Sequence, residues 1–140
     1  MRNTDLARDY VQRAQARVRA LEILFEAGSW ADVVRESQEI VELALKGFLR
    51  GCGVDPPRIH DVSEVLLAER KRFPAAVAGE IAALARISRE LRRDRELAFY
   101  GAEDLTPSGF YSREDAARAR EGARHTVEVV APHVLPAAPG

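Results

Sequence analysis

The stretch from residue 28 to residue 61, GSWADVVRESQEIVELALKGFLRGCGVDPPRIHD, decides the fold of this chain. Its apolar residues recur every three or four positions, which is the spacing of one broad helical face. They are Trp30, Val33, Val34, Ile40, Val41, Ala44, Leu45, Phe48 and Leu49. Gly28 is typical of the left-handed residue that ends a preceding helix, and Gly51 with Gly53 is typical of the end of this one. The stretch therefore predicts one long core helix.

Helical periodicity continues on both sides of this stretch. Residues 4–27 form an amphipathic pattern, and the short connection requires the first two helices to pack antiparallel. A fourth helix is expected from Pro74 to Phe99 or Tyr100, with Pro74 in its first turn. Capping-box spacings predict three helix starts, at Ser29 with Asp32, Asp61 with Glu64, and Ser112 with Asp115. No segment alternates with period two, so we expect an all-α, five-helix, mostly up-and-down antiparallel bundle over residues 1–131, followed by a flexible tail at 132–140.

Composition narrows the class of protein. Apolar residues make up 46% of the 140 residues and charged residues 31%, which indicates one soluble domain. The charged start, MRNTDLARDY, and the lack of an apolar run of roughly 20 residues predict a cytoplasmic protein without a membrane segment. Cys52 is the only cysteine, and no metal or cofactor motif is present, so we expect neither. With a net charge of -1, contact with nucleic acid requires a local basic patch.

The predicted fourth helix carries such a patch. Its arginines are Arg86, Arg89, Arg92, Arg93 and Arg95. Arg86, Arg89 and Arg93 share one face at i, i+3, i+7 spacing and could contact phosphates. The interleaved acids Glu90, Asp94 and Glu96 allow a second interpretation, a salt-bridged and solvated surface. The following loop, GAEDLTPSGFY, is long for a bundle connection, which favours a functional role.

Four pieces of the chain, in order, resemble the HEPN domains, named for higher eukaryotes and prokaryotes. ARDYVQRAQARVRALEILFEAGSWADVVRESQEIVELALKGFLRGCGV is similar to the first helix pair of that family, and His60-Asp61-Val62 to the opening of its third helix. RRDRELAFYG and SREDAARAREGA resemble its passage from the fourth to the fifth helix. The resemblance implies a five-helix bundle, often a homodimer, and a partner relationship with a minimal nucleotidyltransferase in a toxin–antitoxin pair.

Active members of the family are metal-independent ribonucleases with an Arg-x4-6-His motif, often extended to a tyrosine. The histidine moves the 2′-hydroxyl proton and the arginine holds the phosphate. In this chain the motif's arginine is Arg93, Asp94 stands at its asparagine position, Ala98 at its histidine position, and its tyrosine is Tyr100. Because alanine carries no proton, the resemblance supports the fold more strongly than nuclease activity.

Three further sets of residues are candidates for a functional site. His60 either lines a ligand or RNA site or caps the third helix. Arg120 and His125 match Arg-x4-His literally, but in the last helix. Ser37, Glu39, Glu42 and Lys46 form either a polar seam beside the site or, in Glu42 and Lys46, an ordinary helix ion pair.

The sequence thus favours a non-catalytic or weakly active HEPN-type module. It would bind RNA, a nucleotide or a nucleotidyltransferase through the segment from Arg93 to Tyr100, with Arg86 and Arg89. One alternative is a divergent metal-independent endoribonuclease that uses Arg93, Tyr100, His60 or His125. A purely structural dimer is the third interpretation.

Overall fold

A computed structural model describes residues 3–59, 61–100 and 106–136, and the side chains of residues 93–100 lie outside this description. The predicted all-α bundle of five helices is confirmed, with one additional single-turn helix. The helices are α1 (Asn3–Glu26), α2 (Trp30–Gly51), α3 (Ser63–Ala68), α4 (Ile81–Tyr100), α5 (Pro107–Phe110) and α6 (Arg113–Val130). Within the described ranges, no helix has the length and apolar character needed to span a membrane.

Helix α2 forms the centre of the bundle, as its periodicity predicts. Twelve of its 22 residues are buried, and it packs against α1, α4 and α6. Phe48, Leu45 and Ile40 are completely buried in the resulting core. Because α2 has neighbours on several sides, its apolar face is wider than that of a helix lying on a surface.

Glycines end both long helices of the first pair. Gly28 has a φ of 72° and Gly53 a φ of 77°, a left-handed conformation that costs glycine little. The Ser29 N–H donates to the Leu24 carbonyl at 3.1 Å, and the Gly28 N–H donates to the Phe25 carbonyl at 3.0 Å. These two bonds close α1 in a Schellman motif. The predicted roles of both glycines as helix ends are confirmed.

The predicted capping box at Ser29 is wrong. The Ser29 hydroxyl makes no bond to the α2 backbone and instead donates to Asp32 Oδ2 at 2.6 Å. Ser29 also closes α1, and its ψ of 71° differs from the extended value of a regular N-cap residue. The tight turn therefore sets the backbone of Ser29 and directs its hydroxyl away from the helix N–H groups.

Two further helix starts differ from their predictions. Helix α3 begins at Ser63 with Val62 as its N-cap residue, so the predicted capping box of Asp61 and Glu64 is not formed. Asp61 lies one residue before the N-cap, and its Oδ1 accepts a hydrogen bond from the Ser63 N–H at 2.8 Å. The segment predicted to open the fourth helix is a 3-10 helix, Ala75–Glu80, which precedes α4. Only Val77 is buried in this segment, so few apolar contacts hold it in a regular α-helical arrangement.

The last helix begins as predicted. The Asp115 N–H donates to Ser112 Oγ at 3.2 Å, and the Ser112 N–H donates to Asp115 Oδ2 at 2.9 Å, which completes a capping box. After α6 the chain continues as a 3-10 helix, Ala131–His133. Val134, inside the predicted tail, packs against the core, while residues 137–140 lie outside the described part of the chain.

The capping box makes stability depend on the charge of Asp115. The hydrogen bond from the Ser112 N–H, with smaller contributions from the Ser112 hydroxyl and Arg118, lowers the pKa of the Asp115 carboxyl. Because the pKa of Asp115 is lower in the folded chain than in the unfolded chain, its ionised form stabilises the fold at pH values above the unfolded pKa of about 3.9. This stabilisation is lost as the pH falls through the folded-state pKa.

We therefore expect Asp115→Asn to lower the free energy of unfolding by about 0.5–1 kcal/mol at neutral pH. The difference from the native chain should shrink in acid, where both side chains are uncharged. Urea unfolding at neutral and acidic pH measures this, with Asp55→Asn in an exposed loop as the control. If Asp115→Asn lowered the free energy of unfolding equally at both pH values, the stabilisation would not come from the charge of Asp115.

Candidate functional site

The outer surface of α4 carries two arginines that are available to solvent. Arg86 and Arg89 are exposed, whereas Leu84, Ser88 and Leu91 on the opposite side of the helix are buried. Neither arginine forms an ion pair or hydrogen bond with another described residue. Their charges are therefore not neutralised within the described part of the chain. The two predictions for this surface both stay predictions, because the side chains of Asp94 and Glu96 lie outside the described residues.

Arg93 and Tyr100 continue the same helix, which runs without interruption to Tyr100. Their side chains lie outside the described residues, and so does His60. The structure therefore places the backbone of the predicted segment but leaves the predicted roles of these three residues as predictions.

A buried hydroxyl positions α4 against the start of α3. Ser88 is 3% exposed; its Oγ accepts a hydrogen bond from the Val62 N–H at 3.1 Å and donates to Asp61 Oδ1 at 3.2 Å. Sequence reasoning missed Ser88. The available signal was a serine at a core position of an amphipathic helix, where a buried polar group requires a partner.

The two residues of the literal Arg-x4-His match in α6 contact different parts of the bundle. Arg120 Nη1 lies 3.0 Å from Glu22 Oε2, and its guanidinium lies 3.7 Å from the centroid of the Phe25 ring. His125 Nε2 lies 2.9 Å from Glu80 Oε2. Residues five apart on a helix point in directions about 140° apart. The structure thus does not bring Arg120 and His125 to one site.

The polar residues of α2 connect elements of the bundle. Lys46 Nζ lies 2.9 Å from Glu42 Oε2, which is the helix ion pair that the spacing allows. Arg17 joins α1 to α2 through Glu36, at 2.7 Å, and through Glu39. Ser37 is completely buried. The surroundings of these residues are those of interhelical packing.

A cavity of about 580 Å³ opens beside the arginines of α4. It lies between α4, α6 and the aromatic pair at the end of the long loop. Its lining comprises Val34, Ile87, Glu90, Leu91, Phe110, Tyr111, Asp115, Arg118, Ala119 and Gly122. A volume of this size is within the range of about 300–1,000 Å³ found for small-molecule sites. The sequence indicated the loop through its length but did not predict the cavity, which requires the packing of four separate segments.

The charged groups of the cavity differ in how they are held. Asp115 bonds to Ser112, as described above, and its Oδ1 lies 2.5 Å from Arg118 Nη2. Glu90 is exposed and makes no hydrogen bond or ion pair with a described residue. Phe110, which is 39% exposed, packs edge-on against Tyr111 with 4.9 Å between ring centroids. The cavity therefore presents an aromatic ring and a carboxylate without a partner in the described part of the chain.

Metal-ligating side chains are dispersed. Across residues 3–59, 61–100 and 106–136, no three His, Cys, Asp or Glu residues come together as a metal site. Cys52 is a free, half-buried cysteine, and burial raises the pKa of its thiol despite the nearby charge of Arg72. A raised pKa reduces the thiolate fraction and with it the reactivity of the cysteine.

The fold and this site define an all-helical bundle with a cationic outer helix surface beside a cavity. The model of one family, described as the HEPN domain, matches residues 7–133, and the chain belongs to that family. HEPN domains are known for RNA binding and for ribonuclease roles. No curated protein and no solved structure gives a significant match to the chain.

Proposed function

We propose that this HEPN domain is a binding module for single-stranded RNA, with little or no catalytic activity. The observation that carries the proposal is the exposure of Arg86 and Arg89, one turn apart on α4, without partners among the described residues. Two cations at this spacing can contact neighbouring phosphates, and phosphate contacts supply most of the non-specific affinity for nucleic acid. Arg93 and Tyr100 extend the proposed surface toward the end of α4.

The family motif supports a binding role over a catalytic one. Ala98 occupies the position of the proton-transferring histidine and Asp94 the position of the asparagine. An alanine side chain cannot act as a general base, and a carboxylate at Asp94 would repel the scissile phosphate. His125, the literal alternative, contacts Glu80 in the turn that precedes α4.

The proposal extends to the partners of this chain. We propose that the chain forms a homodimer and acts with a minimal nucleotidyltransferase, as expected from its resemblance to members found in toxin–antitoxin pairs. RNA or a free nucleotide is the proposed ligand of the α4 surface in this arrangement. The alternative from another class of function is a divergent metal-independent endoribonuclease.

We expect Arg86→Ala/Arg89→Ala to bind a fluorescent single-stranded RNA about five- to tenfold more weakly, with a slope of log K against log[salt] reduced by about 1. Fluorescence anisotropy at several salt concentrations measures both quantities. The matched control is Arg8→Ala/Arg70→Ala, which removes the same charge from two other exposed arginines. Equal weakening by both pairs would show that only overall charge matters and would reject the α4 surface.

The ribonuclease alternative has its own test, which is cleavage of labelled total RNA in excess chelator. We expect no cleavage by the native chain. Metal-independent cleavage that Arg93→Ala abolishes would instead establish the catalytic alternative, and loss in His125→Ala would establish the motif in α6.

A further inference from the structure

One residue, Glu90, links the arginines of the proposed RNA surface to the cavity. Glu90 follows Arg89 directly, lies one helical turn after Arg86, and lines the cavity. A strand whose phosphates contact Arg86 and Arg89 therefore runs along the edge of the cavity. An unpaired base of that strand could turn inward, as bases do when proteins read single-stranded RNA.

The carboxylate of Glu90, which has no partner among the described residues, decides which base fits. An ionised carboxylate only accepts hydrogen bonds, through two adjacent oxygens. The Watson–Crick edge of guanine presents two adjacent donors, N1–H and the N2 amino group, and thus matches both oxygens. Adenine and cytosine present one donor beside one acceptor, and uracil presents one donor between two carbonyl oxygens that the carboxylate repels.

The rest of the cavity supplies a surface for the ring. Phe110 is half-exposed at the cavity wall, and its edge-on contact with Tyr111 holds its orientation. Aromatic side chains of this kind stack on unpaired bases. Val34, Ile87 and Leu91 provide an apolar lining, and the second carboxylate, Asp115, is already engaged by Ser112 and Arg118.

We propose that this cavity binds one unpaired guanine base of an RNA held on α4. Glu90 accepts the hydrogen bonds of the base's Watson–Crick edge, and Phe110 stacks on its ring. The proposal rests on the RNA-binding function proposed above and adds a base preference to it. Arg118, exposed at the rim of the cavity, is positioned for the negative charge of the flanking backbone.

The test compares two short RNAs, one of uridines only and one with a single central guanosine. We expect the full-length chain to bind the guanosine-containing RNA about tenfold more tightly, the size of effect that a bidentate base contact gives. Glu90→Gln, whose amide offers only one acceptor, should abolish this preference. Phe110→Ala, which removes the stacking ring, should weaken binding of the guanosine-containing RNA by about tenfold. Glu121→Gln, an exposed carboxylate of α6 outside the cavity, is the control for charge.

A second measurement separates this proposal from the proposed function. Free guanosine, which has no phosphate, is titrated into the protein and followed by NMR beside uridine. Binding of guanosine that Glu90→Gln removes supports the cavity even if RNA is not bound. Equal affinity for the two RNAs, with no guanosine binding, overturns the guanine site while the Arg86 and Arg89 surface stands.

Discussion

Replacing Phe48 by alanine is expected to lower the free energy of unfolding by about 3–5 kcal/mol. Phe48 is completely buried at the centre of α2, and its ring lies 5.0 Å from that of Phe73, centroid to centroid. Truncation removes the buried apolar area and leaves a cavity that packed helices on several sides cannot close. Since small domains are stable by only about 5–15 kcal/mol, the variant should unfold at far lower urea concentration.

The same truncation at an exposed phenylalanine supplies the control. Phe110→Ala removes the same atoms from a ring that is 39% exposed, so its cost should be about 1 kcal/mol, chiefly from the contact with Tyr111. Urea unfolding followed by circular dichroism compares the two variants with the native chain. Similar losses in both would mean that Phe48 does not anchor the core.

The centre of the fold was predictable because burial and helical period agree there. In α2 nearly every apolar position of the pattern is buried, and the left-handed glycines at 28 and 53 mark the ends of the first two helices. The errors arose where tertiary geometry overrides a local motif. Ser29 has the sequence of a cap but a backbone set by the preceding helix, and the turns before α4 have the spacing of an α-helix without enough buried residues.

The candidate site, like the fold, could be predicted from the sequence only in part. The arginines of α4 could be found from sequence because helical spacing alone places Arg86 and Arg89 on one side of the helix. The cavity could not, because Val34, Ile87 and Phe110 belong to three segments that meet only in the folded bundle. Glu90, whose carboxylate has no partner among the described residues, cannot be told apart in the sequence from the other acids of this charged helix.

The candidate site also bears on the proposed binding of RNA. Phosphate contacts by arginines position a strand but carry no sequence information, while base contacts in a shaped pocket supply it. In this chain both kinds of group lie on adjacent residues of α4. A surface of this kind would bind RNA selectively without a proton-transferring residue.

The tight packing of α2 against α1 at Gly47 gives the second large effect. A β-carbon built there would lie 2.9 Å from Val11 Cγ2, 3.0 Å from the Ala7 carbonyl oxygen and 3.1 Å from Tyr10 Cβ. The oxygen belongs to the backbone of α1, so relief requires the two helices to move apart. Overpacking of this kind costs about 1–3 kcal/mol, which exceeds the gain of up to about 1 kcal/mol from the better helix propensity of alanine.

We therefore expect Gly47→Ala to destabilise the protein by about 1–2 kcal/mol, although the same change in an unpacked helix is stabilising. Gly51→Ala, one turn later in α2, is the matched control. Its β-carbon would meet Val134 and Ala7 at 3.6 and 3.7 Å, which is ordinary contact, so that variant should be at least as stable as the native chain. Thermal unfolding of the two variants tests whether overpacking at Gly47 destabilises the protein. If both substitutions raised the stability, α1 and α2 would have room to separate at Gly47, contrary to this prediction.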